Sequence, residues 1–342
     1  MIDNSLYEVR KLTVDDLGLF PEFVHRNEGD WSLSRHYVWC IMFPENDTVP
    51  HYYMRNMELD RYRNCGIIRL GETPFSPQSE AHVYDIAKLG DVTSRYQQIS
   101  KDPVIFEQGT KDPFSQIRFM DGCARWKETD ILDLKVDYWP YATFIHHETG
   151  YGLEYIHQNV TVTGTYEGKK VESLGCFDRT FTPVDLDANS IINKACDIYL
   201  ISVCSGIRED GRKEYFYSIL GGEKLKNRFG VYWLEGQEPI VSDNLRIETN
   251  WKHLPYLSEE DPTCGYENCT WYLNDLEIHI NGKWGTRGFA AEPRTDRVGC
   301  TQTFGPWYTG KTPYKHKLWH NYNENMGCTI ENLEKYGFKV DN

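Results

Sequence analysis

Asp178 and Arg179 stand side by side in VESLGCFDRTF, residues 171–181, flanked by Phe177 and Phe181. The residues before them alternate in hydrophobicity as a half-buried strand does. The longer run HQNVTVTGTY-EG-KKVESLGCFD, residues 157–178, folds back on itself if Glu167-Gly168 forms a two-residue turn. Counting outward from Tyr166 opposite Lys169 sets Asn159 against Cys176, His157 against Asp178 and Tyr155 against Thr180. Directly opposed side chains have Cβ atoms about 5 Å apart. That is within reach of a His–carboxylate contact, which fixes the imidazole in one orientation. A pair so placed can hold and pass a proton, the work of a general acid and base. A bulge at the Glu-Gly turn would slip the register by one and leave the pair diagonal. Arg179 points to the opposite face and reads as structural.

The same count gives the hairpin two faces. One carries Ile156, Val160, Val162, Val171 and Phe177; the other carries Tyr155, His157, Asn159, Thr161, Cys176 and Asp178. The second face either lines a ligand cavity or faces water. Asp178 is the leading catalytic candidate, His157 its partner and Tyr155 a secondary donor. Tyr138, Asn159 and Cys176 are candidate substrate contacts.

A second constellation lies in HINGKWGTRGFAAEPRTDR, residues 279–297. A tight Asn281-Gly282 turn sets His279 opposite Trp284 and Glu277 opposite Thr286. Trp284 then offers a cavity wall and Arg287 a contact for an anion or carbonyl. The alternative is a solvated hairpin tip whose charges pair with one another. Metal binding is not expected. His146 and His147 are adjacent on a strand, so at most one joins His157, and no carboxylate or cysteine follows a known ligand spacing. CGYENC, residues 264–269, lacks a second cysteine pair. The nucleophile-elbow, dinucleotide-binding and phosphate-loop motifs do not occur, so an enzyme here is expected to work with side chains alone and no cofactor.

The elements that must position these residues are almost all strands. ILDLKVDY, residues 131–138, alternates cleanly, and Pro140 reads as its breaker. Asp210-Gly211 and Asn281-Gly282 signal two further hairpins. Helices are few: Thr13 caps one short segment through Asp16, and Thr329 caps IENLEKY before Gly337. TFGPWYTGKTPYKHKLWH, residues 303–320, is either a lid or a loop whose Trp307 and Trp319 plug a barrel end. Many strands with short turns mean barrels or sandwiches. A chain of 342 residues suggests about two domains. The polar segment from Pro183 to Asn189 divides residues 1–185 from 186–342.

Aromatic residues make up 14% of the chain, which suits cavity walls for organic ligands. A net charge of -14 repels phosphate backbones, so nucleic acid is not an expected partner. No apolar run is long enough to span a membrane, and MIDNSLYEVRKL lacks the pattern of a signal peptide. A cytoplasmic location is therefore expected, with the ten cysteines as thiols.

Residues Tyr155 to Gly222, about one fifth of the chain, resemble a known arrangement. It is the double-lipocalin-like family of carotenoid hydratases (hydroxyneurosporene synthases), kievitone hydratases, attachment-protein-like bacterial proteins and fungal Diels–Alderases. The family's glycine-spaced strand pair, leading to an aromatic and an Asp followed by Arg or His, reads here as VTVTGTYEGKKVESLGCFDRTF. Its second-barrel opening is matched by DIYLISVCSGIREDGRKEYFYSILGG. Phe181 stands where the family usually places Trp, and Phe177 where Trp is common. The resemblance implies an all-β chain of two lipocalin-like antiparallel β-barrels packed together, with a hydrophobic small-molecule pocket. It also implies activity on alkene-like or polycyclic substrates.

The function expected is thus a cofactor-independent lyase or isomerase, of hydratase, dehydratase or cyclase type, acting on a hydrophobic small molecule. The alternatives are a non-catalytic lipocalin-like carrier and an interaction protein with side-chain-filled barrels. A homodimer is left open.

Overall fold

A computed structural model of the chain describes residues 7–18, 31–43, 50–58, 62–69, 81–83, 97–108, 115–147, 153–183, 197–223, 227–254, 260–287 and 299–341. The chain divides into two compact units. One comprises residues 3–67 and 82–192; the other comprises 193–342 with 1–2 and 68–81.

The first unit is built on a 12-stranded sheet. Its centre runs His51–Glu58, Trp31–Met42, Lys169–Pro183, Leu153–Tyr166, Leu132–His147 and Cys123–Glu128, each paired with the next antiparallel. In a flat sheet the two outer strands of that run would lie about 24 Å apart, at the usual inter-strand spacing of about 4.8 Å. The rings of Tyr53 and Trp126, one on each, are instead 5.5 Å apart, and the Tyr53 hydroxyl donates to Glu128. The sheet therefore curls round on itself in the manner of a barrel. Inside lies an apolar core that includes Val38, Phe106, Phe119, Ile156, Val160 and Phe177.

Local rules explain most of these elements. Leu132, Leu134 and Val136 alternate into the core as expected. Glu167 and Gly168 both have positive φ, 48° and 76°, so the tight turn forms and the predicted register holds. Pro140 differs from expectation. The strand Leu132–His147 runs straight through it, with a register shift between Tyr138 and Ala142. Proline has no N–H for the ladder, and here the chain steps over it with a bulge rather than ending.

The two short helices lie where their caps predict. Val14–Leu17 is a 3-10 helix behind Thr13, whose backbone N–H and hydroxyl donate to the Asp16 carboxylate. Ile330–Lys335 is an α-helix in which the Asn332 N–H donates to the Thr329 hydroxyl, and Gly337 follows with φ 80°.

The second unit holds a 7-stranded, a 4-stranded and a 3-stranded sheet. The first two share one core, in which Phe216 meets Trp271 at 6.2 Å between ring centroids. The Asp210-Gly211 hairpin is present, but one residue out of the two-residue register: Ile207 faces Lys213. The Gly211 N–H donates to the Arg208 carbonyl, and Gly211 has φ 88°, the geometry of a turn closed by a glycine bulge.

The Asn281-Gly282 hairpin does not form. Leu276–Asn281 pairs instead with Asn268–Leu273 and with Trp307–Thr309. Trp284–Arg287 pairs with Thr301–Phe304 in the 7-stranded sheet. His279 thus faces Thr270 and Tyr308, not Trp284, and Glu277 faces Tyr272, not Thr286. The Asn281 N–H donates to the Pro306 carbonyl, so residues 307–309 take the strand edge that the hairpin needed.

No helix among the described residues is long and apolar enough to cross a membrane. Cys40, Cys176 and Cys204 are buried thiols.

Candidate functional site

His157 and Asp178 are directly opposed across the first hairpin. The imidazole Nδ1 lies 2.7 Å from the carboxylate Oδ1. The residues are 1% and 2% exposed, although they sit on the sheet face that points away from the barrel core. Both faces of the hairpin are therefore covered around this pair, whereas toward the turn Thr165, Lys170 and Glu172 on the same face are exposed.

The pairing extends into rows. Thr143 lies across from His157 and Tyr37 across from Asp178, giving the row Thr143–His157–Asp178–Tyr37. The next row is Asn159–Cys176–Trp39. The bulge at Pro140 decides who stands beside His157. With the register of Tyr138 opposite Val160 continued, Tyr141 would face His157; the extra residues bring Thr143 there instead.

The site is polar in the middle and aromatic at one side. The Tyr37 and Trp39 rings are 5.8 Å apart and tilted by 57°. Burial, and then the Asp178 charge, push the Cys176 thiol well above its ordinary pKa, with Trp39, directly across the strand pair, opposing them in part. Among the described residues, neither Thr143 Oγ1 nor Asn159 Oδ1 has a hydrogen-bond partner, although both residues are 1% exposed.

A nitrogen of His157, the sulfur of Cys176 and a carboxylate oxygen of Asp178 all lie within 4.8 Å of one another. The strand register already places Asp178 opposite His157 and Cys176 on the same face; what the linear ligand spacings do not show is that the three donor atoms converge. Cys176 and Asp178 lie two apart on one strand and meet His157 only through strand pairing, which a search for linear ligand spacings does not see. His146 is elsewhere: it contacts Glu154 on the core-facing side.

The other candidates are placed as follows. Tyr155 shares the His157 face, half-buried and opposite Thr180. Tyr138 lies on the core-facing side, edge-on to Phe177 at 5.5 Å, with burial pushing its hydroxyl pKa far up. Trp284 and Arg287 belong to the other unit, across from Phe304 and Thr301. The rest of the 279–297 stretch, residues 288–297 with the charged Glu292, Asp296 and Arg297, lies outside the described residues.

Arg179 takes the core-facing side, as strand alternation requires. It is fully buried, and its guanidinium donates to the carbonyls of Asp16 (2.7 Å) and Gly18 (3.1 Å). The rings of Phe181, Phe106 and Phe119 lie 5.3, 5.6 and 5.7 Å from it. Arg179 thus ties the 3-10 helix to the core of the first unit. Burial, and then the Arg179 charge, hold the pKa of the neighbouring His36 well below its ordinary value.

Sequence reasoning missed Thr143, Tyr37 and Trp39, and a second buried carboxylate, Glu214. Trp31–Met42 is legible as a strand by composition, but its partner lies some 140 residues away. Glu214 is fully buried in the second unit. It accepts from His316 Nε2 (2.6 Å), Arg208 Nη2 (2.6 Å), Tyr232 (2.8 Å) and Tyr314. Burial alone would raise its pKa; the bonds from His316, Arg208 and Tyr314 outweigh that and lower it to about 2. Trp307 is buried in the same core, donating to the Ser205 carbonyl and lying 4.7 Å from His316.

No protein-family model matches the chain, and no curated protein matches it in sequence. Among solved structures it is similar to an AttH-like protein of Nitrosomonas europaea, at 12% identity and a TM-score of 0.48, covering 90% of this chain and 95% of that one. It is also similar to kievitone hydratase from Nectria haematococca, at 9% identity and a TM-score of 0.40, covering 87% and 90%. A third is CghA with Sch210972, at 8% identity and a TM-score of 0.37, covering 95% and 99%. These are members of the groups that the strand-pair and glycine pattern of residues 155–222 resembles.

Proposed function

We propose that the chain is a lyase or isomerase that converts a hydrophobic small molecule by side-chain acid/base chemistry at His157 and Asp178, with no cofactor required. The observation that supports this most is the buried His157–Asp178 pair at 2.7 Å, beside Thr143 Oγ1 and Asn159 Oδ1, which have no hydrogen-bond partner among the described residues. A carboxyl group held by an imidazole can carry a proton to a substrate double bond and take one back.

In a hydration, Asp178 gives its proton to one alkene carbon. Positive charge then develops on the other carbon, where the faces of Tyr37 and Trp39 can stabilise it. Water adds there, and its proton returns through His157 to Asp178, so the pair is regenerated. Thr143 and Asn159 offer polar contacts for the water or for a substrate oxygen, and Tyr155 is a secondary donor. Run backwards, the same steps eliminate water; without water, they move a double bond or close a ring.

The test is turnover of a panel of hydrophobic alkenes and alcohols in deuterated water, read by mass spectrometry. Asp178→Asn and His157→Gln are each expected to lower turnover by about 10²–10⁴-fold with the circular dichroism unchanged. Undiminished turnover by a folded Asp178→Asn would remove Asp178 from the mechanism. A co-purified ligand that the wild-type protein binds and never alters would assign it as a carrier.

A further inference from the structure

We propose that His157, Cys176 and Asp178 form a three-ligand site for a thiophilic divalent cation such as Zn2+. Among the described residues this trio alone gathers three metal-ligating side chains, all buried, with their donor atoms within 4.8 Å of one another. The donor set is nitrogen, sulfur and oxygen, a mixture that suits zinc better than magnesium or calcium.

The distances fit with little movement. Zn–N, Zn–O and Zn–S bonds of about 2.0–2.3 Å at tetrahedral angles set neighbouring ligand atoms about 3.4–3.6 Å apart. The His157–Asp178 contact of 2.7 Å would open by less than about 1 Å, a side-chain adjustment. Charge fits as well. A divalent cation bound by one thiolate, one carboxylate and one neutral imidazole is a neutral unit, which a buried site tolerates far better than a net charge.

The surroundings supply outer support. Trp39 stands directly across from Cys176 on the neighbouring strand, so its indole lies beside the position a metal-bound thiolate would take. Asn159 Oδ1, across from Cys176 and without a partner among the described residues, can accept from a water in the fourth position. Three protein ligands leave the fourth tetrahedral position open to that water.

This inference uses the same side chains as the acid/base reading but does not rest on it. A cation between His157 and Asp178 takes the place of their proton, so loading is expected to abolish the turnover proposed above. Turnover by chelator-treated protein tests that reading separately.

The experiment is titration of the chelator-treated full chain with Co2+, followed by absorption, and with Zn2+ in competition. One equivalent is expected to bind with a sulfur-to-cobalt charge-transfer band and the strong visible bands of four-coordinate cobalt. Cys176→Ser is expected to abolish the charge-transfer band, and both it and Asp178→Asn to weaken Zn2+ binding at least 10-fold. With ten cysteines in the chain, an unchanged band in Cys176→Ser would overturn the proposal, as would the absence of saturable binding to the wild type. Should the variants fail to fold, X-ray absorption on the wild type decides. One sulfur at about 2.3 Å supports the site; none, or several, overturns it.

Discussion

Asp178 and Glu214 are both carboxylates buried in β-sheet, one in each unit, and they are held in opposite ways. Glu214 accepts hydrogen bonds from His316, Arg208, Tyr232 and Tyr314. Asp178 has His157, and two polar atoms on the same face lack partners among the described residues. A saturated carboxylate has its charge fully compensated and little capacity to take a proton, as its pKa of about 2 expresses. Asp178, whose hydrogen-bond partner is itself a proton carrier, is the carboxylate to which the proposed chemistry is assigned. Burial alone therefore does not separate the two carboxylates; the number and kind of their donors does.

The sharpest way to break this contrast is to neutralise each carboxylate in turn. Asp178→Asn should cost about 10²–10⁴-fold in turnover and little in stability. Glu214→Gln should do the reverse. It strands the buried His316 and the largely buried Arg208, and is expected to cost about 3–5 kcal/mol in chemical denaturation. A Glu214→Gln protein as stable as wild type would end the distinction.

Acid titration sharpens it further. The Glu214 carboxyl has a lower pKa folded, about 2, than its ordinary 4.5, so in acid the unfolded chain binds more protons than the folded one. The resulting stabilisation is present above about pH 4.5 and is lost as pH falls toward 2, amounting to about 3 kcal/mol. Denaturation midpoints measured from pH 6 to 2 should show this decline, and Glu214→Gln should flatten it.

Two smaller changes probe how the saturation is built. A Cβ at Gly206 would lie 2.2 Å from the His316 ring, so Gly206→Ala should push the imidazole off Glu214 and cost about 1–3 kcal/mol. Tyr232→Phe removes one donor and leaves three others on the carboxylate, so about 1 kcal/mol is expected in the same measurement. A larger loss for Tyr232→Phe than for Gly206→Ala would mean that Tyr232, not His316, anchors the cluster.

The Asp178 pair was legible in the sequence because everything that sets it is local. Alternation named the strands, and a turn that tolerates positive φ at Glu167 and Gly168 set the register. The Asp210-Gly211 hairpin was legible only to within one residue, since its turn type depends on whether the glycine closes a bulge. The Asn281-Gly282 hairpin was misread because a competing strand, Trp307–Thr309, wins the edge, and nothing within the hairpin's own residues announces that competitor.

Residue order and side-chain chemistry by themselves determined an all-β chain, its two capped helices, and His157 facing Asp178 while Arg179 turns the other way. Tertiary structure decided the rest. It brought Tyr37 and Trp39 beside Asp178 and Cys176, moved Thr143 across from His157 through the bulge at Pro140, and gathered the donors of Glu214 from as far as residue 316. The physical reason is reach. Turn and pleat geometry act over a few residues, whereas strand order depends on which distant edges best bury one another, and only the folded sheet resolves that competition.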